Sequence, residues 1–189
     1  MQKNIAIFGS GSGSNAKNLC DYFRSSRGVR VVVICTNNPH SLIVKRAEKL
    51  AVPCFIFSKK ELCDFVRVEK ALENFNVDFV VLAGFLLKIP EKMIKKYPEK
   101  IINIHPSLLP KYAGKGMYGN FVHESVLKNN DTESGITIHL VNKEYDKGEI
   151  LLQKKCSVTK SETVSSLRVK IQRLEHYWLP LVVEKHILQ

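Results

Sequence analysis

Two side chains two residues apart in an extended run are the clearest chemical signal in the chain. Ile102-Asn103-Ile104-His105-Pro106-Ser107-Leu108-Leu109-Pro110 carries Asn103 and His105 on the same side of a strand, because side chains alternate with period two. An amide donor beside an imidazole suits a reaction in which a negative oxygen develops. The amide stabilises the charge, and the ring gives or takes a proton. The prolines that follow stiffen the next loop. Further on, Asp146 stands in Tyr145-Asp146-Lys147-Gly148, between two apolar runs. Its carboxylate can reach back to His105 and set its protonation state, or it can simply belong to an Asp-Lys-Gly surface turn. His139, flanked by Ile138 and Leu140, reads as a half-buried histidine with its polar needs met.

A third signal is Gly9-Ser10-Gly11-Ser12-Gly13-Ser14-Asn15, which follows an apolar run and precedes a helical one. Glycines let the backbone approach a phosphate, and a helix N-terminus supplies free N–H groups and a positive dipole end. The spacing is not G-x-G-x-x-G and no P-loop lysine follows, which argues against a dinucleotide. The alternative is a turn whose Ser14 or Asn15 caps the helix. In Leu82-Ala83-Gly84-Phe85-Leu86, Gly84 either admits a flat ligand against an apolar wall of Phe85, Leu86 and Ile89, or merely turns the chain. The histidines form no H-E-x-x-H pattern, so no metal is expected.

These residues need a scaffold, and the sequence describes one. Ile5–Phe8, Val29–Cys35, Phe79–Ala83 and Ile101–Ile104 are short apolar runs of the kind buried on both faces of a parallel sheet. Asn15–Arg24, Leu42–Leu50 and Glu61–Phe75 have apolar residues at helical spacing between them. Two later strands (135–141 and 150–158) and a closing helix from Thr163 complete the order. The class is α/β: an open, mostly parallel sheet with helices on both faces, in one domain over residues 1–189. In such sheets ligands bind beyond the carboxyl ends of the strands, where the signals above fall.

Composition narrows the function classes. The 189 residues are 44% hydrophobic and 25% charged, with no apolar run long enough to span a bilayer and no signal-peptide pattern. A cytoplasmic location is therefore expected. Five cysteines scattered singly, without a C-x-x-C pair, read as small hydrophobes. The net charge of +11 comes from lysines and arginines spread along the chain. That suits solvated helix surfaces first, then small anionic ligands, and nucleic acid last, since there is no arginine-rich arm or aromatic-basic alternation.

At these same residues the chain resembles the phosphoribosylglycinamide formyltransferase family of folate-dependent enzymes. The matching pieces are 11–15, 81–85, 103–112, 135–139, 146–153 and Glu175-His176, in family order across residues 5 to 182. The resemblance implies a Rossmann-like formyltransferase fold and the use of 10-formyltetrahydrofolate and glycinamide ribonucleotide, with no nucleic acid, membrane or metal, by a monomer or homodimer. It implies that Asn103, His105 and Asp146 are catalytic. The mechanism expected of such a trio has Asn103 and a protonated His105 stabilising the negative oxygen, with Asp146 keeping His105 charged and helping to relay the proton. It places the ribonucleotide phosphate at Gly13, Ser14 and Asn15, and the ribose at Glu175. It lays the folate along Leu86, Leu87 and Ile89 with Val141 and Tyr145, and sets Lys60 toward the glutamate tail. The chain departs from the family at the glycine-rich, lid-like segment 113–119, and Glu149 stands where proline is frequent. Two relatives remain as alternatives: a 10-formyltetrahydrofolate hydrolase, which usually carries a further regulatory domain, and the formyl-transfer domain of methionyl-tRNA formyltransferase, which needs a further RNA-binding domain.

Overall fold

The computed structural model describes residues 1–114 and 116–189; Lys115, in the glycine-rich segment, lies outside the described residues. The elements in chain order are β1 (Lys3–Phe8), α1 (Ser14–Phe23), β2 (Val29–Thr36), α2 (Leu42–Lys49), β3 (Cys54–Ile56), α3 (Lys59–Asp64), α4 (Val66–Asn74), β4 (Phe79–Leu82), α5 (Glu91–Lys96), β5 (Ile101–His105), α6 (Asn120–Lys128), β6 (Glu133–Leu140), β7 (Ile150–Ser157) and α7 (Val164–Leu188). The seven strands form one sheet in the order β3-β2-β1-β4-β5-β6-β7. The first five are parallel; β6 pairs antiparallel with β5, and β7 pairs antiparallel with β6. The order reverses between β1 and β4, so the loops after those strands open a crevice there.

Both faces of the parallel part are covered, as the unbroken apolar runs require. One layer buries Ala16 and Leu19 of α1, Ile43 of α2 and Leu167, Ile171 and Leu179 of α7 against Ile5, Ile7, Val81, Ile102 and Ile104. The other buries Leu62, Val68, Leu72 and Met93 of α3, α4 and α5 against Ala6, Phe8, Val33, Val80 and Ile101. That second layer reaches only Ile101 at the start of β5 and does not extend over the rest of β5 or over β6. The residues there that continue its face are polar: Asn103 and His105 on β5, Thr137 and His139 on β6. Loops cover them instead of a helix, and that polar gap is where the site forms.

Several details differ from expectation. The run 61–75 is two helices, α3 and α4, because Phe65 takes a left-handed conformation (φ 65°) between them. The strand β3 and the helices α5 and α6 lie in stretches without a clear period. Among the cysteines, Cys20 and Cys35 are buried, Cys54 and Cys156 half-buried, and Cys63 exposed. No helix among the described residues is long and apolar enough to cross a membrane.

Candidate active site

A cleft of about 1180 Å³ runs along the carboxyl ends of β1, β4 and β5. This exceeds the roughly 300–1000 Å³ of a pocket for one drug-sized ligand, leaving room for two ligands side by side. At one end lie Gly11 to Asn15. Gly13 holds φ +74°, and a Cβ there would come within 2.6 Å of Ile43 Cγ1, so the turn into α1 needs glycine. Ser10 ties the crevice together. Its hydroxyl donates to Asn37 Oδ1 (2.6 Å) and accepts from the Leu86 N–H (3.1 Å), while its own N–H donates to Gly84 O (3.0 Å). Neither Ser14 nor Asn15 caps α1 with its side chain, so the capping alternative fails; the Ser14 N–H, first in the helix, donates to Ser12 Oγ (3.4 Å).

Asn15 turns inward instead and donates through Nδ2 to Glu175 Oε2 (2.9 Å). Its Oδ1 is buried without a partner. Glu175 is held there by the docking of α7 on α1, and that docking has a specific cause. Pro180 lies inside α7 and has no N–H for the carbonyl of His176, four residues before it. The side chain of Asn18 on α1 fills the gap, donating through Nδ2 to His176 O (2.6 Å). Burial pushes the Glu175 carboxyl up to about 7, against the lowering effect of the Asn15 amide.

The middle of the cleft holds Asn103, His105 and Asp146 together. The Pro106–Pro110 loop after β5 is pinned by Thr137, whose hydroxyl donates to Ser107 O (2.7 Å) and accepts from Leu109 N–H (3.0 Å), and by Gln153, which donates to Leu109 O (2.8 Å). Because β6 runs antiparallel to β5, the loop leaving it starts at the far end of the sheet and must fold back across the face. An Asn142-Glu144 Asx turn and a bond from Asn142 Nδ2 to Lys147 O (3.0 Å) shape it. Asp146, left-handed at φ 53°, ends with Oδ1 3.8 Å from His105 Nδ1 and 3.7 Å from His139 Nε2, while Oδ2 accepts the Gly114 N–H (2.9 Å). Burial raises the Asp146 carboxyl, but His139, the Gly114 N–H and His105 outweigh it and hold it below its ordinary value.

His105 corrects the expected charge state. Its Nε2 faces the Tyr112 carbonyl at 2.8 Å. A carbonyl only accepts, so that nitrogen carries the proton and Nδ1 points its lone pair toward Asp146. Burial of the ring, which is 5% exposed, lowers its pKa, and the attraction of Asp146 and the Tyr112 bond do not make up the difference. At 3.8 Å Asp146 makes no hydrogen bond to it. The resting imidazole is therefore neutral at pH 7 rather than held charged.

The other end is the apolar side. Leu86, Leu87, Ile89, Val141 and Tyr145 all line it, with Lys88 Nζ 5.7 Å from the Tyr145 ring centre. Lys60 does not line the cleft; Lys59 does. Successive helix residues point about 100° apart, so when α3 begins at Lys59 only one of the pair faces inward. Sequence reasoning missed Lys59, Arg46, Arg168, Gln172 and His123 as cleft residues. For α7 the signal was present: Arg168, Gln172 and Glu175 fall at helical spacing on one face. It also set His139 aside, whereas the structure places His139 Nε2 3.0 Å from Asn103 Nδ2. Among the described residues, no group of three or more His, Cys, Asp or Glu is placed to hold a metal ion.

A family model described as formyl transferase matches residues 3–183. A phosphoribosylglycinamide formyltransferase of Bacillus subtilis is 30% identical over 188 residues, covering 97% of this chain and 94% of that protein. The chloroplastic phosphoribosylglycinamide formyltransferase of Arabidopsis thaliana is 37% identical over 181 residues, and the match covers 93% of this chain but only 62% of the plant protein's length. Among solved structures, phosphoribosylglycinamide formyltransferase from Anaplasma phagocytophilum superposes with a TM-score of 0.89 at 33% identity, over 100% of this chain and 88% of that one.

Proposed function

The chain belongs to the formyl transferase family, and on that premise we propose that it transfers the formyl group of 10-formyltetrahydrofolate to the primary amine of glycinamide ribonucleotide, in purine synthesis. The observation that carries this reading is the convergence of Asn103, His105 and Asp146 midway between a phosphate-type loop and an apolar wall. The backbone N–H groups at Gly13, Ser14 and Asn15 take the ribonucleotide phosphate, Ser14 exchanging its long bond to Ser12 Oγ for it, and Glu175 accepts from the ribose hydroxyls. Leu86, Leu87, Ile89, Val141 and Tyr145 take the folate ring system, and Lys59 faces the carboxylates of its glutamate tail.

In this arrangement the amine nitrogen attacks the formyl carbon, and the carbonyl pair moves onto oxygen. Asn103 donates an N–H to that oxygen; such a donor contributes about 3 kcal/mol. The bare Nδ1 of His105 takes the proton the amine must lose, becoming an imidazolium 3.8 Å from the Asp146 carboxylate. Asp146 thus acts on a charge that exists only once reaction has begun, which lowers the barrier rather than the ground state. The imidazolium then protonates the folate nitrogen as its bond to carbon breaks, leaving tetrahydrofolate and the formylated amine.

The test follows loss of formyl from 10-formyltetrahydrofolate with and without glycinamide ribonucleotide. Loss only with the ribonucleotide supports the transferase; loss without it makes the protein a hydrolase. His105→Ala should lower turnover by about 1000-fold, and near-normal turnover by that variant would end the proposed role.

A further inference from the structure

We propose that His139 is a positioning residue that fixes the orientation of the Asn103 side-chain amide. This rests on the formyl-transfer reading only for its effect on turnover. In the antiparallel pairing of β5 and β6, His139 stands directly opposite Asn103, and the register of β6 against β7 shifts between Ile138 and His139. A shift of this kind re-aims the side chain beside it. The ring is 2% exposed and has a fixed partner at each nitrogen: Nδ1 lies 2.8 Å from Leu140 O and Nε2 lies 3.0 Å from Asn103 Nδ2.

Hydrogen-bond valence then assigns every proton. The Leu140 carbonyl can only accept, so Nδ1 carries the hydrogen; Asp146 Oδ1, 3.7 Å from Nε2, lies beyond hydrogen-bond reach, and with Asn103 Nδ2 at 3.0 Å it is Nε2 that offers a lone pair. Only the NH2 end of Asn103 satisfies that lone pair. Turning the amide by 180° would set its oxygen against a bare ring nitrogen, two acceptors at contact distance. One N–H of Asn103 is thereby held by His139, and the second is left for the oxygen that becomes negative in the cleft. Without this restraint an amide presents N–H and C=O alternately, and the C=O form repels an oxyanion. Only glycine at 148 leaves room for the Leu140 carbonyl: a Cβ there would fall 1.6 Å from Leu140 O. The glycine of the Asp146-Lys147-Gly148 sequence thus serves the same device.

The experiment compares His139→Leu, which keeps bulk and loses the acceptor, with His139→Gln, whose amide oxygen can stand where Nε2 stood. Asn103→Ala and the Asn103→Ala/His139→Leu double variant complete a cycle. The expected result is a fall of about 10- to 100-fold in kcat for His139→Leu, with KM for both substrates within about twofold and most of the loss recovered in His139→Gln. Adding His139→Leu to Asn103→Ala should then cost nothing further. An equal additional loss in the Asn103→Ala background would overturn the proposal, as would wild-type kcat in His139→Leu. Should the leucine variant fail to melt cooperatively, the glutamine variant and 15N NMR of the wild-type ring decide. A proton on Nδ1 supports the assignment; a proton on Nε2 refutes it. The NMR readout needs no turnover, so it separates failure of this proposal from failure of the formyl-transfer reading.

Discussion

Glu175→Gln should make the protein more stable and a worse enzyme at the same time. The carboxyl of Glu175 is raised from an ordinary 4.5 to about 7 because α7 presses it against α1, where only the Asn15 amide serves it. A folded state that holds the proton more tightly than the unfolded chain loses stability as pH rises through the interval between the two values. At about 1.36 kcal/mol per pKa unit, ionising Glu175 above pH 7 costs the fold about 3 kcal/mol. Glutamine keeps the shape and an oxygen for Asn15 but has nothing to ionise. Urea unfolding should therefore show the variant about 3 kcal/mol more stable than wild type at pH 8 and nearly matched at pH 4.5. In the transfer assay at pH 8 its KM for the ribonucleotide should rise about 10-fold or more, because hydrogen bonds from ribose hydroxyls to a charged acceptor are worth about 1.5–3 kcal/mol. Equal stabilities at pH 8, or the same gain at both pH values, would refute the reasoning, since the carboxylate would then bear no folding cost.

Three further outcomes follow from the same geometry. Asn18→Ala should cost about 1–3 kcal/mol in urea unfolding by leaving the His176 carbonyl unpaired beside Pro180. Lys59→Ala should weaken folate binding in a salt-dependent way, measured by titration calorimetry, whereas Lys60→Ala should leave it unchanged, since only Lys59 lines the cleft. In wild-type protein the KM for the ribonucleotide should rise as pH falls below about 7 and Glu175 takes up a proton, while kcat holds until below 6.5, where the lowered His105 becomes charged and can no longer accept one. In Glu175→Gln the KM should be flat from pH 6 to 8.

The parts of this site that were legible in the sequence are those governed by local rules. Asn103 and His105 share a face because a strand alternates, whatever surrounds it. The glycine loop reads as an anion cradle because it joins a strand to a helix. What was not legible depends on partners distant in the chain. His139 between two apolar neighbours looks like a core residue until the antiparallel register sets it opposite Asn103, 36 positions away. The charge on His105 was misjudged because the sequence displays the nearby carboxylate and hides the burial that outweighs it. Lys59 and Lys60 are indistinguishable until the start of α3 fixes which one points inward. Nothing in the sequence breaks the run 61–75, where Phe65 turns left-handed without a glycine or proline to announce it.

The polar gap in the second helical layer connects these observations. A sheet residue facing a packed helix must be apolar, so a strand can afford Asn, His and Thr on one face only where no helix lies over it. In β5 and β6 the face toward α1 and α7 stays aliphatic, with Ile102, Ile104, Ile136 and Ile138 buried, while the other bears Asn103, His105, Thr137 and His139. The loops that roof those four residues supply hydrogen-bond partners a helix cannot spare: Tyr112 O for His105, Ser107 O and the Leu109 N–H for Thr137, and the Gly114 N–H for Asp146 above them. His105, Thr137 and Asp146 are thereby oriented by irregular backbone segments, which explains why the prolines after His105 and the glycine after Lys147 matter. They shape loops whose backbone groups decide, through the Tyr112 carbonyl, which nitrogen of His105 carries a proton, and so which atom in the cleft is free to react.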